Sequence, residues 1–222
     1  MSIQHHPNDD TLLRFSTGGL NAGLTLVTQA HMHICTQCRD RVAAFEAVGG
    51  ALLDEQPAAA LAPAAFAQVL SRLDERPAAA PPPRAPRQAN LHLAPDIALP
   101  SVLAGCDIGR WLWFGKGIRY SPVRLPWAPE ANVMLLRVAA NCAVYPHTHA
   151  EHELTLILRG GYSDCTGQYG PGDMAEGDAD VLHQPHADDE GCLCLAALEG
   201  TMRLDGWLGK WQRRLGPYLG LY

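Results

Sequence analysis

A stretch from residue 77 to residue 90, PAAAPPPRAPRQAN, constrains this chain more than any other feature. Proline removes backbone donors, and alanine and arginine offer no apolar face to bury, so the segment reads as a linker. On its N-terminal side, over residues 1–76, the pattern is helical. Asn8 or Asp9 can cap a segment carrying Leu12, Leu13 and Phe15, and Asn21 can cap a second carrying Leu24, Leu26 and Val27. A third helix fits residues 38–53, with Val42, Phe45, Val48 and Leu52 at the spacing of one buried stripe. A fourth fits 63–75 through Phe66, Val69, Leu70 and Leu73. Beyond the linker, over residues 91–222, short β-prone runs at 111–114, 133–139, 154–158 and 192–198 are broken by Gly, Pro and Asp, as in an antiparallel sandwich or barrel. The expected fold class is therefore two-domain α plus β, a small helical bundle followed by a β-barrel. The tail at 206–222, with Trp207, Trp211 and Leu215 between basic residues, fits a closing helix or an exposed contact.

Hydrophobic residues make up 47% of the chain and charged residues 18%, enough apolar material for true cores. A net charge of −6 argues against a surface that neutralises phosphates, so no direct nucleic-acid contact is expected and a partner should be a protein. No apolar run reaches the roughly 18 residues that span a bilayer. The start MSIQHHPNDD lacks the basic and apolar regions of a signal peptide, so a cytoplasmic protein is expected. In that compartment cysteines are read first as metal or redox groups rather than disulfides.

Cys35 and Cys38 form a CxxC preceded by His31, giving HxxxCxxC. On one continuous helix, offsets of 4 and 7 residues fall at about +40° and −20°, so the three donors would share a face. Imidazole and thiolate suit Zn²⁺, which in structural sites takes four ligands. His5 and His6 are the available further donors, whereas His33 lies about 200° from His31 around the same helix. A thioredoxin-like redox pair would need a βαβ setting that is missing here.

In the C-terminal half the run from Pro146 to Gly160 contains His147, His149 and Glu153. These share parity, so an extended backbone points them to one side of a sheet. Glu151 has the same parity and competes with Glu153. After the tight turn at 169–173, His183 offers another imidazole at a strand end, while His152 and His186 read as supporting or surface groups. Cys192 and Cys194 alternate with leucines and read as packing residues.

The N-terminal motifs, MxIxHH, then HxxxCxxC, then a helix containing Ala-Val-Gly-Gly, resemble the zinc-binding anti-sigma domain of the ChrR family. The C-terminal pair of segments resembles the two metal motifs of the cupin barrel, a double-stranded β-helix or jelly roll. The resemblance implies zinc held by His6, His31, Cys35 and Cys38, and a second zinc or other divalent transition metal held by His147, His149, Glu153 and His183. It further implies a protein without catalytic residues that sequesters an extracytoplasmic-function sigma factor through its N-terminal part. Release would follow an oxidative signal of the singlet-oxygen type sensed by the cupin. Oxidation of Cys35 and Cys38 is a rival sensor, and a cupin dioxygenase or hydrolase with a helical appendage is the alternative from another class.

Overall fold

Asn8 and Asn21, two short polar residues before apolar periodic segments, open the first two helices in the computed structural model, which describes residues 2–73, 75 and 97–205. Helix α1 (Asp9–Ser16) starts where the Asn8 side chain accepts from the Thr11 N–H, and α2 (Ala22–Met32) where Asn21 accepts from Leu24. Each contact satisfies one of the amide donors that a helix start leaves unpaired. Helix α3 (Thr36–Asp54) has Cys35 as its N-cap, with Sγ accepting from the Cys38 N–H, and α4 (Ala65–Arg72) follows. The 77–90 linker and the 206–222 tail lie outside the described residues.

Ten strands follow among the described residues: β1 (Asp107–Ile108), β2 (Leu112–Gly115), β3 (Ile118–Leu125), β4 (Ala128–Val138), β5 (His147–His149), β6 (Glu153–Ser163), β7 (Gln168–Tyr169), β8 (Met174–Gly177), β9 (His186–Leu198) and β10 (Met202–Leu204). The larger sheet runs β1-β3-β4-β9-β6-β7, with β2 added to β3 and β8 to β6, and all its pairings are antiparallel. Strands β5 and β10 form a second, small sheet. This is the expected all-β barrel.

The strands of the larger sheet are apolar on both faces, and the reason is visible in the packing. On β9, Leu195 and Ala197 join one core with Val133 and Leu135 of β4 and Leu154 and Leu156 of β6. Cys192 and Cys194, one residue out of step, face the barrel interior with Val138 and Ile157. The outer core is completed by Leu20, Leu24, Leu26, Val27 and Ala30, on or just before α2. The helical part therefore does not stand off from the barrel, because α2 covers its outer sheet face. Gly23 permits the approach: a Cβ there would lie 3.0 Å from Val133 Cγ2 and 3.5 Å from Ala197 Cβ.

The expected stripe along α3 is only partly buried. Val42 packs with Leu12, Cys35 and Cys38, with Phe45 beside them, but Val48 and Leu52 face outward. On α4, Phe66, Val69, Leu70 and Leu73 are all exposed. Helical periodicity reports an apolar face without saying whether the same chain covers it. No helix among the described residues is long and apolar enough to cross a membrane.

Candidate metal centres

His31 lies in the last turn of α2 and Cys35 caps α3, so the first cluster forms across a helix–turn–helix and not on one continuous helix. The turn at His33 and Ile34 does the converging that the wheel geometry had assigned to a single face, and it leaves His33 exposed. His6 Nδ1 lies 3.3 Å from Cys35 Sγ and 3.4 Å from Cys38 Sγ, and His31 Nε2 lies 3.3 Å from Cys38 Sγ. His6, His31, Cys35 and Cys38 present donor atoms that all fall within 4.8 Å of one another. His5, the competing donor, turns the other way and stacks on Tyr169 with ring centroids 4.5 Å apart.

The protonation states fit a soft cation. His31 Nδ1 donates to the Gly172 carbonyl at 3.0 Å, which leaves the Nε2 lone pair aimed at Cys38. Burial, outweighing this bond, lowers His31 to about 4, so its imidazole is neutral at physiological pH. Without a cation, burial and the neighbouring Cys35 push the Cys38 thiol up to about 12. A bound Zn²⁺ would reverse that by stabilising the thiolate directly.

The barrel cluster is built by β5, the start of β6 and the loop before β9. Along β5, His147 and His149 are buried while Thr148 turns away to the Ala179 carbonyl. His183 is tied to His147 through reciprocal backbone hydrogen bonds of 3.0 Å. His183 Nε2 lies 3.1 Å from His147 Nε2 and 3.2 Å from His149 Nε2, and Glu153 Oε2 is 2.7 Å from His149 Nε2. The four donors again lie within 4.8 Å of one another. Glu151 is exposed, and His186 sits exposed at the start of β9.

Two outer contacts that the sequence reading missed fix the rings. His147 Nδ1 donates to the Tyr145 carbonyl at 2.7 Å and His183 Nδ1 to Asp164 Oδ2 at 2.8 Å. Both Nε2 atoms are then lone pairs facing each other across 3.1 Å, which is repulsive unless a cation sits between them. Burial lowers His147 to about 4, against the pull of Glu153. Burial would raise Glu153, but the hydrogen bond from His149 and the surrounding imidazoles hold its carboxyl below the ordinary range. The residues present thus fit a divalent transition metal with nitrogen and oxygen ligands. A cavity of about 50 Å³ adjoins them, lined in part by Tyr162, Cys192 and Cys194. Hydrogen bonding with Cys192 and burial raise the Cys194 thiol, so it stays protonated and packs.

The fold and these clusters define a class: a helical His₂Cys₂ site backed onto a cupin barrel that carries a His₃Glu site of its own. Residues 101–201 match the ChrR cupin-like domain. The chain is 35% identical to the anti-sigma-E factor ChrR of Cereibacter sphaeroides over 95% of its own length and 96% of that protein. It belongs to the ChrR family of anti-sigma factors. It is also similar to ChrR in the crystal structure of Rhodobacter sphaeroides SigE in complex with the anti-sigma ChrR. There the TM-score is 0.67 at 33% identity, covering 89% of this chain and 100% of that one.

Proposed function

We propose that this protein sequesters an extracytoplasmic-function sigma factor in the cytoplasm, using zinc to keep its helical clasp in shape and the barrel metal to sense a signal. The observation that carries the reading is the uncovered apolar face of α3 and α4. Leu53 is 71% exposed, Phe66 74% and Leu61, between the helices, 81%. Val48 and Leu52 are likewise exposed on α3, and Val69 on α4. Large apolar side chains left in water along two amphipathic helices are what a protein partner covers, in a groove or against other helices. Membership of the ChrR family supports a sigma factor as the occupant, and the complex of ChrR with SigE supports it further.

Zinc at His6, His31, Cys35 and Cys38 would tie the N-terminal strand of chain, α2 and α3 at one point, contributing folding free energy to a small helical unit. At His147, His149, Glu153 and His183, a bound divalent metal supplies Lewis acidity and, for a redox-active ion, a centre that an oxidant can alter. The chain's own contribution is to hold three imidazoles and one carboxylate around a small cavity. The role is regulatory and not catalytic, and the signal we assign to it is oxidative, of the singlet-oxygen type.

Co-expression of the full chain with an extracytoplasmic-function sigma factor, affinity capture and metal analysis test this. Two metal equivalents and a captured sigma factor are expected. C35A/C38A should lose the partner, and H147A/H149A should keep it while losing the response to singlet oxygen. Failure to hold a sigma factor with both sites loaded would overturn the reading.

A further inference from the structure

We infer that the six-residue segment Gly172–Gly177, with Glu176 at its centre of contacts, mechanically couples the two metal centres. The inference rests on the two-metal reading proposed above and concerns how the state of one site reaches the other.

The segment touches both clusters directly. At one end the Gly172 carbonyl accepts from Nδ1 of His31, and next to it Asp173 Oδ1 accepts from the Gln4 N–H at 2.7 Å and the His5 N–H at 3.0 Å. The Met174 N–H donates to the His5 carbonyl at 3.0 Å, so the chain leading into His6 is held as if it were a short added strand. At the other end Gly177 is paired with Glu153 across the β6–β8 ladder. It lies so close to His149 that a Cβ there would sit 3.3 Å from His149 Cδ2. The turn at Gly172 leads through Asp173 into strand β8, which carries the chain from one cluster to the other.

Within this segment the side chains alternate, as a strand requires. Met174 packs into the core shared with α2, and Ala175 into the barrel interior. Glu176 joins the two sides through its carboxylate. Oε2 accepts from the Asn8 N–H at 2.8 Å, while Oε1 accepts from Asn8 Nδ2 at 2.9 Å and from the Thr11 hydroxyl. The same Oε1 accepts from His152 Nε2 at 2.7 Å. His152 stands immediately before Glu153, in the loop that carries the ligands out of β5 and into β6. Asn8 and Thr11 form the capped start of α1, whose Leu12 packs directly on Cys35 and Cys38. A carboxylate at that helix start also favours the helix dipole.

A rearrangement of the β5–β6 loop on metal loss would therefore pull His152 away from Glu176 and remove the anchor of α1. Helix α1 is part of the lid over a zinc cluster in which His31 and Cys38 have no exposed surface. The expected readout is the accessibility of that zinc.

The test uses the full chain with no sigma factor present, both sites loaded in wild type and E176Q and the N-terminal site alone in the H147A/H149A variants, each verified by metal analysis. Zinc release to a chromogenic chelator is timed for wild type and H147A/H149A, then for each in an E176Q background. Emptying the barrel should speed release about tenfold in wild type, the scale of outer contacts around metals, and add almost nothing once Glu176 is Gln. Because binding linkage is reciprocal at equilibrium, C35A/C38A should also lower the affinity of the barrel site in wild type and not in E176Q. Equal acceleration in both backgrounds would show that the coupling bypasses Glu176, and no acceleration in wild type would show that the sites are independent. Circular dichroism checks folding. If E176Q does not fold, Thr11→Val, which cuts the same junction from the helix side, decides between these outcomes. Absence of metal in the starting protein would count against the two-metal reading itself, and so is distinguishable from failure of the coupling.

Discussion

Asp164 accepts from His183 Nδ1 at 2.8 Å, and this contact decides which ring nitrogen of His183 faces His147 and His149. Burial would raise Asp164, but hydrogen bonds from His183 and Thr166 hold it down at about 2, so it remains a full acceptor. Replacing Asp164 by Ala frees the ring to change tautomer and should weaken the barrel metal by about 10- to 100-fold. Competition titration of wild type and D164A with a chelator, run side by side, measures this. A D164A barrel that binds metal as tightly as wild type would remove Asp164 from the site.

Acid should loosen the apo chain over a defined window. His31 and His147 titrate near 6.5 when unfolded and at about 4 when folded, chiefly because burial disfavours the charged ring. Between those values the unfolded chain binds more protons than the folded one, so stability falls as pH drops from 6.5 toward 4, and the contribution of these two histidines is constant just above that window. Metal retention should fall in the same direction, since the ligands must shed protons to bind. Denaturant midpoints of the metal-free chain at pH 7.5, 6, 5 and 4 check the first claim, and a midpoint independent of pH would contradict it.

Leu52→Asp combined with Phe66→Asp places charge on the exposed face of α3 and α4. Since neither side chain is buried in the free protein, unfolding stability should change by no more than about 0.5 kcal/mol per site, while sigma factor capture is lost. Thermal melts and pull-downs on the same preparation separate the two effects. Intact capture would move the binding surface elsewhere.

Gly23→Val probes the seam between α2 and the sheet. The added carbons must displace Val133 and Ala197, at about 1–3 kcal/mol for an overpacked site. Because one core runs from α2 through β4, β6 and β9, helical and β signals should shift together to lower temperature. A lowered helical transition with an unchanged β transition would show that the two layers unfold separately.

Much of this was legible in the sequence because the informative residues lie close together along the chain. Parity along 147–153 singled out His147, His149 and Glu153 without separating Glu153 from Glu151, which faces solvent, and the polar residues before α1 and α2 marked where those helices start. The shared core could also have been read. Buried positions on α2 include Gly23, Leu24, Leu26, Val27, Thr28, Ala30 and His31, and a helix that is apolar nearly all round lies between two layers. The roles of Asp164, Gly172, Asp173 and Glu176 were not legible, because each depends on a partner brought near by the topology. Glu176 meets Asn8 across 168 residues of sequence, and no local pattern announces such a contact.

The uncovered face of α3 and α4 carries a consequence for how the cell handles this protein. A chain that keeps Phe66 and Leu53 in water carries an aggregation liability that a partner covers, so copies in excess of the partner invite clumping or degradation. Its output therefore has to be matched to that of the sigma factor it holds. Dosage, set by joint synthesis and disposal of any surplus, becomes part of how the switch is tuned.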